Sequence, residues 1–357
     1  MSAELAVERG LSASRLSSLL VGATGGATVT VVDCSPVGTG QMADSFRLRL
    51  KYASRCDGPS SVIAKVPSLN EASRGASRLT RCYELETSFY SEMAGLTKIR
   101  TPKCLHNSYD AEADDFLLLL EDLAPAQQGD QLTGCTLERA VAAVGELTGL
   151  HGPLWRHPAL EKMSWLGKLT KEFIDGNAAL YQVFYPGFCE RYADRLDDDI
   201  VELGERFVAR SRDYFSCFSQ VHTAVHRDYR LDNLLFGVDD DDRVNVAVVD
   251  WQTVGQGPGI SDLSYFIGAG LLIDDRRAHE EMLVREYQGR MLDHGVELEW
   301  EDLWSQYRLY SFSGFAMAIA ASMLVKQTER GDEMFMAMAG RHGRQAIDIE
   351  AEKIFSK

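Results

Sequence analysis

From residue 137 onward the chain reads as helix after helix, with one interruption at residues 224–250. There Ala224-Val225-His226-Arg227-Asp228 leads into the apolar run Asn233-Leu234-Leu235-Phe236-Gly237. A polar turn at residues 239–242 follows, and Val244-Asn245-Val246-Ala247-Val248-Val249 runs back to Asp250. Two short apolar runs joined by a polar turn predict a hairpin inside a helical domain. A hairpin returns its two ends to one place, so its polar flanks are predicted to meet there.

The first third reads differently. Residues 1–22 carry Leu16, Leu19 and Leu20 on one helical face, before Gly22, Gly25 and Gly26. Residues 29–32 read as a strand. Residues 46–50 alternate apolar and basic, as a half-buried strand does. Gly58 and Pro59 mark a hairpin turn, and residues 61–66 form the returning strand. Residues 72–95 have a helical pattern, and the continuous apolar run at 116–120 reads as a buried strand. Helices are predicted over 137–151, 165–180, 198–215, 276–294, 300–327 and 332–355. The expectation is an α+β, two-lobed chain. Residues 1–122 would form a small lobe with an antiparallel sheet plus a helix, and residues 123–357 a large, mainly helical lobe. A length of 357 residues has room for both.

The polar cluster has the parts that phosphoryl transfer from ATP requires. That reaction needs a carboxylate beside the attacking hydroxyl, oxygen ligands for magnesium and cations on the phosphates. Magnesium is a hard ion that keeps several waters, so one carboxylate and one amide suffice. Asp228, Asn233 five residues later, and Asp250 at the end of an apolar strand fit those roles. Each motif alone is weak. Their order, spacing and intervening hairpin make the pair specific.

The string HRDYRLDNLLF…VVDWQTVGQGPGISDLSYF resembles the kinase-like phosphotransferase superfamily, in its aminoglycoside phosphotransferase and choline kinase branch. It is closer still to the ecdysteroid kinase-like (CHK-type) phosphotransferases. The resemblance runs from about Val29 to about Tyr287 and weakens in the last 70 or so residues. It implies a protein-kinase-like fold, Asp228 as catalytic base, and Asn233 and Asp250 as magnesium ligands, with His226 orienting the loop. In that pattern Lys65, in the strand Val62-Ile63-Ala64-Lys65, contacts the α- and β-phosphates. Its carboxylate partner is Glu86, with Glu84 and Glu92 as alternatives. Gly38-Thr39-Gly40 would approach the phosphates through backbone N–H groups, and Ser35 and Gln41 are within reach of the same segment. Glu121 and Leu123, after the run at 117–120, would bind adenine through their backbone groups. Arg230 and Tyr229 flank the base and are candidates to touch substrate or phosphate. Asp262 would brace the catalytic loop.

Other features carry less. Residues 239–242 lack the alternating oxygen spacing and the glycine of a calcium loop and read as a solvated turn. His222 and His226 are four apart, but no Glu follows the first, as zinc-binding helices require. His151 would end a helix, and Trp251 would pack in the core. The seven cysteines are widely spaced with no CxxC, which suggests free thiols in a reducing, cytoplasmic setting. No signal peptide is recognisable at the N-terminus.

The formal net charge of −16 and the absence of a Lys/Arg-rich run argue against nucleic acid and anionic membrane surfaces as partners. No Ala-Pro-Glu follows Asp250, so there is little room for a peptide platform. A small-molecule hydroxyl is the expected acceptor: a sterol-like or other small alcohol ahead of an aminoglycoside-like one. Trp300, Trp304, Tyr307, Tyr310, Phe312, Met317 and Met323 are candidates to line its pocket, although most are expected to pack as core. The alternatives are a nucleotide-binding pseudokinase and a protein kinase.

Overall fold

The computed structural model of the chain describes residues 3–38 and 42–356. It divides into two compact units, residues 1–94 with 101–125 and residues 95–100 with 126–357.

The first unit is built on a five-stranded antiparallel sheet. Its strands are β1 (Val29–Pro36), β2 (Ala43–Tyr52), β3 (Ser61–Pro67), β4 (Cys104–Asp110) and β5 (Asp115–Glu121), in the order β1-β2-β3-β5-β4. The apolar run in β5 is explained by burial on both faces. Leu117 and Leu119 join Leu16, Leu20, Leu48 and Val62 in one core. Phe116, Leu118 and Leu120 join Cys82 and Tyr83 in the other. The first face is covered by three short helices, α1 (Ala3–Glu8), α2 (Ala13–Leu19) and α3 (Val21–Thr24).

Those three replace the single helix expected over 1–22. Gly10 takes φ +70°, and the Ser12 side chain accepts from the Arg15 N–H to start α2 afresh. The helix expected over 72–95 is also broken. Arg81 takes φ 59° between α4 (Glu71–Thr80) and α5 (Cys82–Ser88), and a wider-wound turn, Phe89–Met93, follows. Strand β4 was not expected. Its residues, Cys-Leu-His-Asn-Ser-Tyr-Asp, lie at the sheet's edge with no buried position, so they show no apolar alternation.

The second unit is mainly helical. It contains α6 (Leu137–His151), α7 (Ala159–Lys162), α8 (Lys171–Tyr192), α9 (Asp198–Ala209), α10 (Ser211–Cys217), α11 (Ile260–Gly270), α12 (Ile273–Asp293), α13 (Trp300–Tyr310), α14 (Phe312–Leu324) and α15 (Glu329–Asp348). The helix expected over 165–180 starts later and runs past Pro186. Tyr181, Tyr185, Phe188 and Tyr192, at 4-3-4 spacing, bury one face and carry the helix on. Helix α11 was not expected. All eleven of its residues are buried, so it has no polar face to reveal a period. The span 300–327 breaks at Ser311, and residues 198–215 break at Arg210. Tyr307, Tyr310 and Phe312 are core residues, while Trp300 and Trp304 stack on each other with ring centroids 5.4 Å apart.

Strand β6 (Gln127–Gln128) pairs with β8 (Leu234–Val238), which forms the expected hairpin with β9 (Val244–Val248). Strand β7 (Thr223–Val225) pairs antiparallel with β10 (Gly255–Gly257). Among the described residues no helix is long and apolar enough to cross a membrane.

Candidate active site

In the first unit, the alternation of β3 decides where Lys65 points. Val62, Ala64 and Val66 face the core covered by α1–α3, so Lys65 faces the opposite side, where α5 lies. There its Nζ donates to both oxygens of Glu86, at 2.7 and 2.6 Å. Lys65 is 9% exposed and Glu86 2%. The alternatives are placed elsewhere: Glu84 is bound by Arg81, and Glu92 is exposed. A buried charge costs several kcal/mol to desolvate, so each of these two groups depends on the other.

Ser35 lies within β1, paired with Arg47, and does not belong to a turn. Gly38 follows at φ +75°, a conformation that suits glycine. Thr39 and Gly40, with Gln41, lie outside the described residues. Glu121 is the last residue of β5, and its N–H donates to the Lys103 carbonyl at 2.9 Å. Its amide is therefore committed, which restricts the adenine expectation there to its carbonyl. Leu123, just past the strand, has no backbone hydrogen bond among the described residues.

In the second unit the loop that carries His226, Asp228 and Asn233 joins β7 to β8. Leu234 pairs with Val248, and the Val249 N–H donates to the Asn233 carbonyl at 3.0 Å. The hairpin thus brings Asn233 and Asp250 to one end. Asp250 takes φ 68°, an uncommon conformation for a residue with a side chain, and accepts from Gln252 Nε2 at 3.1 Å. His226 ties the loop to the hairpin. Its Nδ1 accepts from the Asp228 N–H at 3.3 Å, which leaves Nε2 to donate to the Val249 carbonyl at 3.1 Å. Its ring lies 4.7 Å from that of Trp251, which is fully buried.

The Asp228 carboxylate is held from three sides. Oδ1 accepts from Tyr265 Oη at 2.7 Å, Oδ2 accepts from Asn233 Nδ2 at 2.9 Å, and Arg230 Nε lies 3.1 and 3.2 Å from the two oxygens. Arg230 also pairs with Asp232, and its Nη1 lies 3.1 Å from Met334 Sδ on α15. Burial pulls the Arg230 pKa down, but the Asp228 and Asp232 carboxylates outweigh it and raise the value overall. Burial, then the Asp228 charge, pushes the Tyr265 hydroxyl well above its ordinary value, so it remains a donor. Tyr229, by contrast, points away and donates to the Ala143 carbonyl at 2.8 Å.

Asp262 braces the loop from beneath. Its two oxygens accept the His226 and Arg227 N–H groups at 2.6 and 2.9 Å. His151 ends α6 as expected, but it also lies 3.3 Å from Asp262 and 2.8 Å from Tyr287 Oη, fully buried. Arg227 reaches the Gln256 carbonyl at 3.1 Å and packs on Gly255. A Cβ there would lie 2.3 Å from its guanidinium carbon.

The donor set fits magnesium. Asn233 spends its amide nitrogen on Asp228, leaving the amide oxygen as its metal-binding atom. Asp250 adds a carboxylate at the adjacent strand end. Among the described residues no group of three His, Cys, Asp or Glu side chains could hold a metal. A protein site this sparse suits an ion that takes much of its shell from phosphates and water, as magnesium does. Tyr265, Arg330 and Met334 were not singled out by sequence reasoning. Tyr265 had a signal: it lies three residues after Asp262, so one helix face presents both to the loop.

The chain shares the protein-kinase-like fold of several solved structures. The choline kinase of Cryptosporidium parvum is 9% identical, with a TM-score of 0.57 over 91% of this chain and 90% of that one. An ethanolamine kinase of Plasmodium vivax is 7% identical, with a TM-score of 0.52 over 87% and 81%. The GDP complex of aminoglycoside 2′-phosphotransferase-IIIa is 11% identical, with a TM-score of 0.54 over 92% and 97%. No curated protein sequence matches. The sequence pattern of the ecdysteroid kinase-like family matches residues 38–300, most of the length. The chain belongs to the ecdysteroid kinase-like family.

Proposed function

We propose that the protein is a magnesium- and ATP-dependent O-phosphotransferase acting on a small-molecule alcohol. The observation that carries this reading is the Asp228 carboxylate, oriented by Tyr265, Arg230 and Asn233 beside the hairpin end that bears Asp250. Asp228 takes the proton of the acceptor hydroxyl. The oxygen forms a bond to the γ-phosphorus of ATP, and the bond from that phosphorus to the bridging oxygen breaks to release ADP. Asn233 and Asp250 would hold magnesium, which when bound neutralises charge on the phosphates. Lys65, fixed by Glu86, orients the α- and β-phosphates, and the segment at Gly38-Thr39-Gly40 approaches them through its N–H groups. The purine edge meets the Glu121 carbonyl and the Leu123 backbone. In this reading residues 1–122 bind nucleotide, and residues 123–357 carry the catalytic loop, the metal ligands and the acceptor.

For the acceptor, a sterol-like or other apolar alcohol is favoured over an aminoglycoside-like one. The carboxylates around the base already have cationic partners, Asp228 and Asp232 in Arg230, and Asp232 and Asp130 in Arg330. A polycation gains little there, whereas Met334 offers an apolar contact next to Arg230. The test is ADP release with Mg-ATP against sterol-like alcohols, sugars, choline-like amines and aminoglycosides, with Asp228→Asn as the blank. Turnover that vanishes in the variant supports the reading. Turnover that persists removes Asp228 as base. Mg-ATP binding without turnover on any acceptor would shift the reading to a nucleotide-binding protein.

A further inference from the structure

The second unit contains a cavity of about 420 Å³ behind the catalytic loop, lined by residues that the proposed reaction does not use. A volume of that size suits a small organic ligand. Its floor is apolar: Ile260, Val296 and Leu303 are buried, and the Tyr287 ring lies beside them. One side is an aromatic pair, Trp155 and His222, with ring centroids 5.1 Å apart and planes at 30°. Burial, followed by the Arg156 charge, lowers the His222 pKa, so its ring is neutral at pH 7. The rim carries Glu297, Glu299 and Asp302, all exposed, against one cation, Arg156. Among the described residues none of these three carboxylates has an ion pair or a side-chain hydrogen bond. An apolar floor, an aromatic wall and uncompensated negative charge at the mouth are the features that recognise an organic cation.

Both walls lead to the catalytic loop. From one, Tyr287 Oη meets His151 Nδ1 at 2.8 Å, His151 Nε2 lies 3.3 Å from Asp262, and Asp262 holds the His226 and Arg227 amides. From the other, the Arg156 N–H donates to the His222 carbonyl at 2.6 Å, and the His222 N–H donates to the Gly257 carbonyl at 3.0 Å. β7 begins at the next residue and ends at Val225, immediately before His226. Tyr287, His151, Asp262 and His226 along the first path are buried, so ordering Tyr287 and His151 restricts Asp262, and through it the loop backbone.

We propose that this cavity is an effector site for a small organic cation with an aromatic or apolar body, and that its occupancy tightens the hold of Asp262 on the His226 and Arg227 amides. The binding stands by itself. Any effect on turnover rests on the phosphotransferase reading.

The experiment uses the full chain and tryptamine as probe, since it has a cationic amine, an indole body and no hydroxyl to accept phosphate. Calorimetry is expected to show binding that weakens about tenfold or more in Glu299→Gln/Asp302→Asn, the loss of roughly 1.4 kcal/mol or more. These exposed side chains have no partners to lose, so the variant keeps its fold. The uncharged analogue 3-ethylindole is expected to bind at least about tenfold more weakly than tryptamine. Hydrogen exchange at the His226 and Arg227 amides is expected to slow when tryptamine binds, and Tyr287→Phe to bind it without that slowing. No tryptamine binding overturns the site. Equal binding by the double variant or by 3-ethylindole overturns the cation assignment. Binding with unchanged exchange in the parent protein overturns the coupling. None of these readouts involves turnover, so their failure is distinguishable from failure of the proposed activity.

Discussion

The Tyr265 hydroxyl donates to Asp228 Oδ1 across 2.7 Å, from a helix whose every residue is buried. Burial and the Asp228 charge keep that hydroxyl protonated, so it acts as a fixed donor that sets the rotation of the carboxylate. Tyr265→Phe is predicted to lower kcat about tenfold, matching a hydrogen bond to a charged group of roughly 1.5 kcal/mol, with little change in acceptor KM. Steady-state kinetics check this. An unchanged kcat would mean that Asn233 and Arg230 orient Asp228 without help.

The Lys65–Glu86 pair separates stability from chemistry. Lys65→Ala leaves a 2% exposed carboxylate without its closest cation, and breaking such a pair costs about 3–5 kcal/mol. The variant is predicted to unfold at lower urea concentration and to turn over poorly. The double variant Lys65→Met/Glu86→Leu is predicted to recover most of the stability and none of the rate, since an apolar pair removes the buried charge along with the proposed phosphate contact. Recovery of turnover in the double variant would show that Lys65 serves only the fold.

Asp250 is predicted to matter for the nucleotide only when magnesium is present. Asp250→Ala is expected to weaken Mg-ATP binding about tenfold or more by calorimetry and to leave metal-free ATP binding almost unchanged, because the carboxylate itself repels phosphates. Equal losses with and without the metal would place Asp250 outside a metal site and make it a support for the φ 68° turn.

How much of this was readable depended on how far each signal is local. The hairpin that joins Asn233 to Asp250 was legible because its strands are short apolar runs around a polar turn, and register follows from the pairing of Leu234 with Val248. Lys65 was legible from its strand, but Glu86 could be put ahead of Glu84 only through the resemblance, because the choice depends on which face of α5 meets the sheet. Helix α11 was hidden because full burial erases the polar–apolar period, and Tyr265 was missed with it, whereas the bracing role of Asp262 was legible through the resemblance. The Arg81 break was hidden for another reason: a left-handed φ at arginine has no signature in residue type.

His342 provides a test of folding that involves no catalysis. It fits between α11 and α14 where glycines make room: a Cβ on Gly314 would lie 1.8 Å from its Nε2, and one on Gly268 2.4 Å from its Nδ1. Nδ1 faces Gln345 Oε1 at 3.2 Å, and the ring is fully buried, centred 5.5 Å from that of Tyr265. Burial pushes its pKa down to about 4, against an ordinary value of 6.5. Between those two values the unfolded chain binds a proton that the folded chain refuses. The contribution of His342 is therefore fully present above pH 6.5 and is lost as pH falls through about 4, amounting to about 2 kcal/mol already at pH 5. His342→Gln removes the titration. The stability gap between the parent protein and this variant, from urea unfolding, is predicted to shrink by about 2 kcal/mol between pH 7 and pH 5. A gap that stays constant over that range would mean that the folded chain admits the proton and that the slot between the glycines is open to water.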